Sequence, residues 1–152
     1  MNFKKMSILV VLIVSIYFLS VLTRSYKYEK NAENYIEEAI FDFANPWKVE
    51  NLNKRASWWL INKSELSPDD ICRLANVDLG NIIELIQSPK CNIQQGFDKF
   101  STEKHTYAIC LITAKFEKSS VALQIRLIGE KGSWKAGSWK INDFMSINEI
   151  QE

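Results

Sequence analysis

The chain has 152 residues with 19 basic and 18 acidic side chains, a net charge of +1. Its length and composition fit one globular domain. Near-balanced charge, with Lys and Arg spread singly, gives no electrostatic footprint for nucleic acid.

The first thirty residues depart from that composition. Lys4 and Lys5 precede an uncharged apolar run from Met6 to Thr23, and Arg24 follows. Eighteen residues in a helix reach about 27 Å, just under a hydrocarbon core of about 30 Å. A cleaved signal peptide wants small residues before the cut. Val21 with Thr23 and Leu22 with Arg24 serve poorly, and no cysteine follows for lipid attachment. The expectation is a retained signal anchor over 1–24, a short tether over 25–31 and a folded domain over 32–152. Cleavage and a freely secreted domain are the other reading. The lysines ahead of the run favour a cytoplasmic N-terminus, and Arg24, Lys27 and Lys30 beyond it weaken that bias.

Beyond the tether, Ala32, Tyr35, Ile36, Ala39, Ile40 and Phe43 recur at helical spacing, with Glu33, Glu37 and Glu38 mostly on the other side. Asn45-Pro46 stops this helix, and Pro46 is expected to open the next segment as a first-turn proline. In WKVENLNKRASWWLINK, helical pattern breaks at Ser57-Trp58-Trp59. An extended stretch there points one tryptophan outward; a core shared with Leu60 is the alternative. Ser67-Pro68-Asp69-Asp70 reads as a capped helix start, with Gly80 as the stop.

After Gly80 the period becomes two. Short strands are expected over Ile82–Ile86 and Asn92–Phe97, around a turn at Ser88-Pro89-Lys90. In TYAICLITAKF one face carries Ala108, Cys110, Ile112, Ala114 and Phe116, and in VALQIRLI Val121, Leu123, Ile125 and Leu127 face inward. Glu117 to Ser120 joins these two as a hairpin. A last strand from about Ser138 places Trp139, Ile141 and Asp143 on one face. Helices followed by an antiparallel meander make an α+β domain.

Several of these residues fall into a familiar spacing. YIEEAI, then W-x-V-x-x-L-x-x-RAS, a helix ending in Leu79-Gly80, A-x-FEK, V-x-L-x-I-x-L-I and G-x-W-K-I-x-x-F run in order over about residues 32–148. Together they resemble a family of small uncharacterised bacterial envelope proteins with a nuclear-transport-factor-two-like, or cystatin-like, α+β roll. The resemblance implies that curved fold and brings no catalytic residue. It also implies that Trp47 packs beneath the first helix. GSWK occurs twice, at Gly132 and Gly137. The resemblance matches the second copy, so Trp139 is the expected core tryptophan. Trp134 is then a contact aromatic at a loop tip or a side chain folded back on Arg126.

Candidate chemistry is sparse. His105 is the sole histidine, and neither a CxxC nor a Cys/His cluster is present, so neither a metal nor a cofactor is implied. Cys91 and Cys110 form a candidate disulfide, leaving Cys72 as a buried thiol; three small core side chains are the other reading. Of the carboxylates only Asp143 shares a face with inward residues, and a strand end is commonly exposed. The expectation is a single-pass protein of the inner membrane with its domain in the periplasm or otherwise outside the cytoplasm. There it would bind a protein partner or a second copy through Trp134, Trp58 and Trp59. The alternative is a roll that binds a hydrophobic small molecule or lipid.

Overall fold

Between Phe3 and Ala44 there is neither proline nor glycine to interrupt a helix. In the computed structural model, which describes residues 3–97, 103–129 and 138–149, this stretch is one helix, α1 (Phe3–Ala44). At 1.5 Å per residue it is about 63 Å long. The segment 25–31, expected as a tether, is helical and continuous with what precedes and follows it. Large apolar side chains from Val10 to Leu22 are exposed, and α1 is long and apolar enough to cross a membrane.

The second half of α1 enters the domain. Ala32, Ile36, Ala39, Ile40, Phe43 and Ala44 are fully buried against a four-stranded sheet. The strands are β1 (Ile82–Phe97), β2 (Lys104–Phe116), β3 (Ser120–Gly129) and β4 (Trp139–Glu149), antiparallel in that spatial order. Their inner face carries the alternating residues of β2 and β3 named above, all 2 % exposed or less. Ala108 and Ala114 leave room for the helix, and Phe116 closes one end. The fold is α+β, a long N-terminal helix followed by short helices and an antiparallel sheet.

Three short helices line the rim: α2 (Val49–Arg55), α3 (Trp58–Lys63) and α4 (Pro68–Asp78). Pro46 lies in the turn ahead of α2 and does not open it. Trp47 sits below α1, 5.7 Å from Phe43 and stacked on Phe116 at 6.1 Å, and its indole Nε1 donates to Gly80 O at 2.7 Å. Ser67 caps α4 by accepting from Asp70 N at 3.2 Å, and its hydroxyl donates to the Asp70 carboxylate at 2.7 Å. Gly80 takes a φ of +73° after the helix, as a left-handed stop requires. Lys118, at the β2–β3 turn, donates to Asn76 O at 3.3 Å and to Val77 O, satisfying the last carbonyls of α4.

Two expectations about strands are corrected. The two short strands around Ser88-Pro89-Lys90 are one strand, β1, whose register against β2 slips between Gln87 and Lys90. An edge strand tolerates proline at such a bulge, since no ladder amide is missed. In β4, Asn142 is an extra residue between the pairs Arg126–Asp143 and Leu127–Ile141. A bulge shifts the alternation by one. Trp139 (5 % exposed) and Ile141 face the core as expected, but Asp143 does not share their face: it is exposed, as its place near a strand end suggests, and Phe144 takes the inward place, 6.2 Å from Phe43.

Candidate functional site

The β4 bulge also builds a corner. Asn142, turned inward, is 9 % exposed, and its Oδ1 accepts from the Ser57 hydroxyl at 2.9 Å. The same Ser57 oxygen accepts from Leu60 N at 3.1 Å, capping α3, while Ser57 N donates to Ile141 O at 2.8 Å. Lys140 Nζ donates to Lys54 O at 2.8 Å. The junction between α2 and α3 is thus stitched along the edge of β4, where an open edge would otherwise show unpaired amides.

This corner fixes the two tryptophans. Residues 58–63, expected to be extended at their start, are helical, and a helix turns successive side chains about 100° apart. Leu60 is buried, Trp59 is half-buried and Trp58 is 58 % exposed. The indoles meet edge-on at 4.9 Å, and Lys63 Nζ lies 5.9 Å from the Trp58 ring. Trp59 forms one wall of a cleft of about 430 Å³ between α3, the segment leading to α4 and β4. Lys63, Leu66, Arg126, Asp143 and Phe144 also line it.

Arg126 and Asp143 are register partners across β3 and β4. The Arg126 guanidinium stacks 3.9 Å above the Tyr107 ring, which accounts for Tyr107 being 1 % exposed although it points away from α1. Arg126 Nε is buried and meets no acceptor among the described residues. A buried donor of this kind favours an incoming oxygen. The cleft therefore combines an indole wall with two cations, Lys63 and Arg126, and two carboxylates, Glu65 and Asp143, which suits a segment carrying both apolar and charged side chains.

The other candidates lie elsewhere. Cys91 and Cys110 are opposite one another on β1 and β2 and are joined as a disulfide. The bond lies toward the β1 side of the sheet, away from the β4 cleft. Cys72 is 4 % exposed, and burial, with the nearby Asp69 charge adding to it, pushes its thiol up to about 11. That leaves a neutral thiol at physiological pH, without nucleophilic character. Asp70 is held below the usual carboxylate range by the Ser67 hydroxyl and then by Arg73. Of the Glu37-Glu38 pair, Glu38 reaches Arg55 at 3.3 Å, which Asp42 also contacts at 3.2 Å. His105 is the second residue of β2, beside Tyr107 with 6.2 Å between rings. Among the described residues, no group of three or more His, Cys, Asp and Glu could hold a metal ion. Trp134 lies outside the described residues.

Adjacent tryptophans make Trp58 and Trp59 conspicuous in the sequence, whereas nothing local ties Lys63 and Arg126 to the cleft that Trp59 walls. The signal that unites them is the bulge at Asn142, which no residue type announces. The chain matches no protein-family model, no curated protein and no solved structure.

Proposed function

We propose that this protein is a membrane-anchored interaction module whose domain stands outside the cytoplasm and binds a protein partner in the cell envelope. The observation that carries this reading is Trp58, 58 % exposed against Trp59 at the rim of a charged cleft. Tryptophan and arginine together are the residues that dominate binding energy at protein interfaces. The apolar helix supports the anchor, and the Cys91–Cys110 disulfide supports an oxidising compartment. Lys4 and Lys5, ahead of the apolar run, favour a cytoplasmic N-terminus.

Binding of a small molecule is the second reading, because about 430 Å³ lies within the usual range of ligand clefts. Its walls carry Lys63, Glu65, Arg126 and Asp143, which suits a polar ligand better than a lipid.

Crosslinking in intact cells, followed by purification of the tagged full-length protein, separates the two. A stoichiometric protein partner lost on Trp58→Ala or Trp59→Ala is the expected result, with Trp134→Ala tested alongside. An uncrosslinked monomer with a small molecule retained in its native mass spectrum would replace the first reading by the second.

A further inference from the structure

Helix α1 changes environment over a very short distance. The large apolar side chains of the N-terminal run are exposed to Leu22, and Tyr26 is exposed beyond it, yet Tyr28 already packs against the domain core. From Thr23, the end of the apolar run, to Tyr28 is five residues, about 7.5 Å of helix. That is about the depth of one headgroup layer, taking a 30 Å hydrocarbon core within a bilayer of about 40–45 Å. The domain therefore begins where a bilayer crossed by α1 would end.

The direction of β1 decides which part of the domain lies there. Near the C-terminal end of α1, Phe43 touches Trp47, which stacks on Phe116, the register partner of Ile82. Ten residues earlier in α1, Glu33 Oε1 accepts from Cys91 N at 3.5 Å. Strand β1 thus runs back along α1 toward its apolar half. Phe97 is six residues past Cys91, about 20 Å of strand at 3.3 Å per residue. Between the Ile82 and Cys91 contacts, nine residues of strand accompany ten of helix. By the same inclination the six residues to Phe97 reach back to about Tyr26 and Lys27, within one helical turn of the end of the apolar run at Thr23.

Phe97 is 65 % exposed and, by alternation with Cys91 and Ile93, lies on the helix-facing side of the sheet beyond the core. Its register partner is Lys104. Around them Arg24, Lys27, Lys30 and Lys104 are exposed, against the acidic Glu29 and Glu103, and Lys30 pairs with Glu33 at 3.5 Å. An exposed aromatic among cations, at the depth where an apolar helix ends, is the composition of a membrane interface.

We propose that this end of the domain rests on the bilayer, with Phe97 at the boundary between headgroups and acyl chains and Arg24, Lys27 and Lys104 against lipid phosphates. The proposal rests on α1 spanning that bilayer. Its test uses the full-length protein in phosphatidylethanolamine/phosphatidylglycerol vesicles. A nitroxide is attached without reductant at Phe97→Cys, at Leu12→Cys within the apolar run, or at Lys115→Cys at the opposite end of the sheet. Phe97 is exposed, so its replacement leaves the core intact. The expected result is loss of accessibility to a water-soluble nickel complex at positions 97 and 12, with position 115 fully accessible. If position 97 is as accessible as 115 while 12 stays shielded, the domain stands clear of the membrane and the docking is overturned with the anchor intact. If position 12 is also accessible, α1 spans nothing and both readings fall.

Discussion

The carboxylate of Glu117 holds Asn81 at two points, accepting from its backbone N at 3.0 Å and from its side-chain Nδ2 at 3.1 Å. Glu117 N in turn donates to Asn81 O at 3.0 Å. This three-bond clasp fastens the β2–β3 turn to the start of β1. The backbone amide of Asn81, and then its side-chain amide, lower the Glu117 pKa from the ordinary 4.5. A carboxylate with a depressed folded-state pKa contributes stability that is present above its unfolded value and lost as pH falls through the folded one. Wild-type melting temperature should therefore decline as pH drops below about 4.5, and Glu117→Ala should melt lower at neutral pH with a weaker decline. Thermal melts at several pH values check this; parallel curves would contradict it.

Gly80 lies under the same clasp. Its φ is +73°, and an added Cβ would meet Glu117 Oε2 at 2.6 Å and Glu117 Cβ at 2.9 Å. Gly80→Ala should cost at least the roughly 1–2 kcal/mol of a left-handed alanine. Urea unfolding should show this as a lower midpoint with an unchanged slope.

The three cysteines differ in chemistry and should be countable by mass. With Cys91 and Cys110 joined and Cys72 buried as a neutral thiol, folded protein without reductant should take up no iodoacetamide adduct at pH 8. Denatured but unreduced protein should gain one adduct, and denatured, reduced protein three. Reduction should also remove about 3 kcal/mol of stability, the loop-closure effect of a bridge between residues 19 apart.

Ser57→Ala removes the hydroxyl that caps α3 and meets Asn142 Oδ1, leaving that buried oxygen without its donor. The expected loss is about 1–3 kcal/mol. The change should also loosen the wall of the cleft beside Trp59, so quenching of tryptophan fluorescence by acrylamide should increase. Unchanged quenching would mean that the corner does not hold the indole.

Legibility followed the distance over which a pattern repeats. Strands β2 and β3 could be read residue by residue, because alternation runs through both unbroken and is fixed by one buried face. The two GSWK copies are locally identical, so Trp139 as the core tryptophan follows from the resemblance, which matches the second copy. Pro89 misled, since proline in mid-pattern reads as a turn and only a neighbouring strand reveals an edge with a bulge. Asp143 was placed on the wrong face for the same reason: Asn142 adds one residue to the count, and parity downstream reverses. The candidate cleft was half visible. Two adjacent tryptophans draw attention anywhere, but their distance from Arg126 is a tertiary fact, set by the bond between Ser57 and Asn142.

The continuity of α1 has a geometric consequence. A helix without proline or glycine from residue 3 to residue 44 offers no swivel between its apolar half and the buried face that begins at Ala32. Each residue sets a rotation of about 100° and a rise of 1.5 Å. One alanine inserted after Arg24 would swing the Trp58–Trp59 cleft by about that angle around the helix axis while raising it by little more than a bond length. The compass bearing at which the cleft faces its surroundings is therefore encoded in the number of residues between Thr23 and Ala32, and a loose linker would leave that bearing unset.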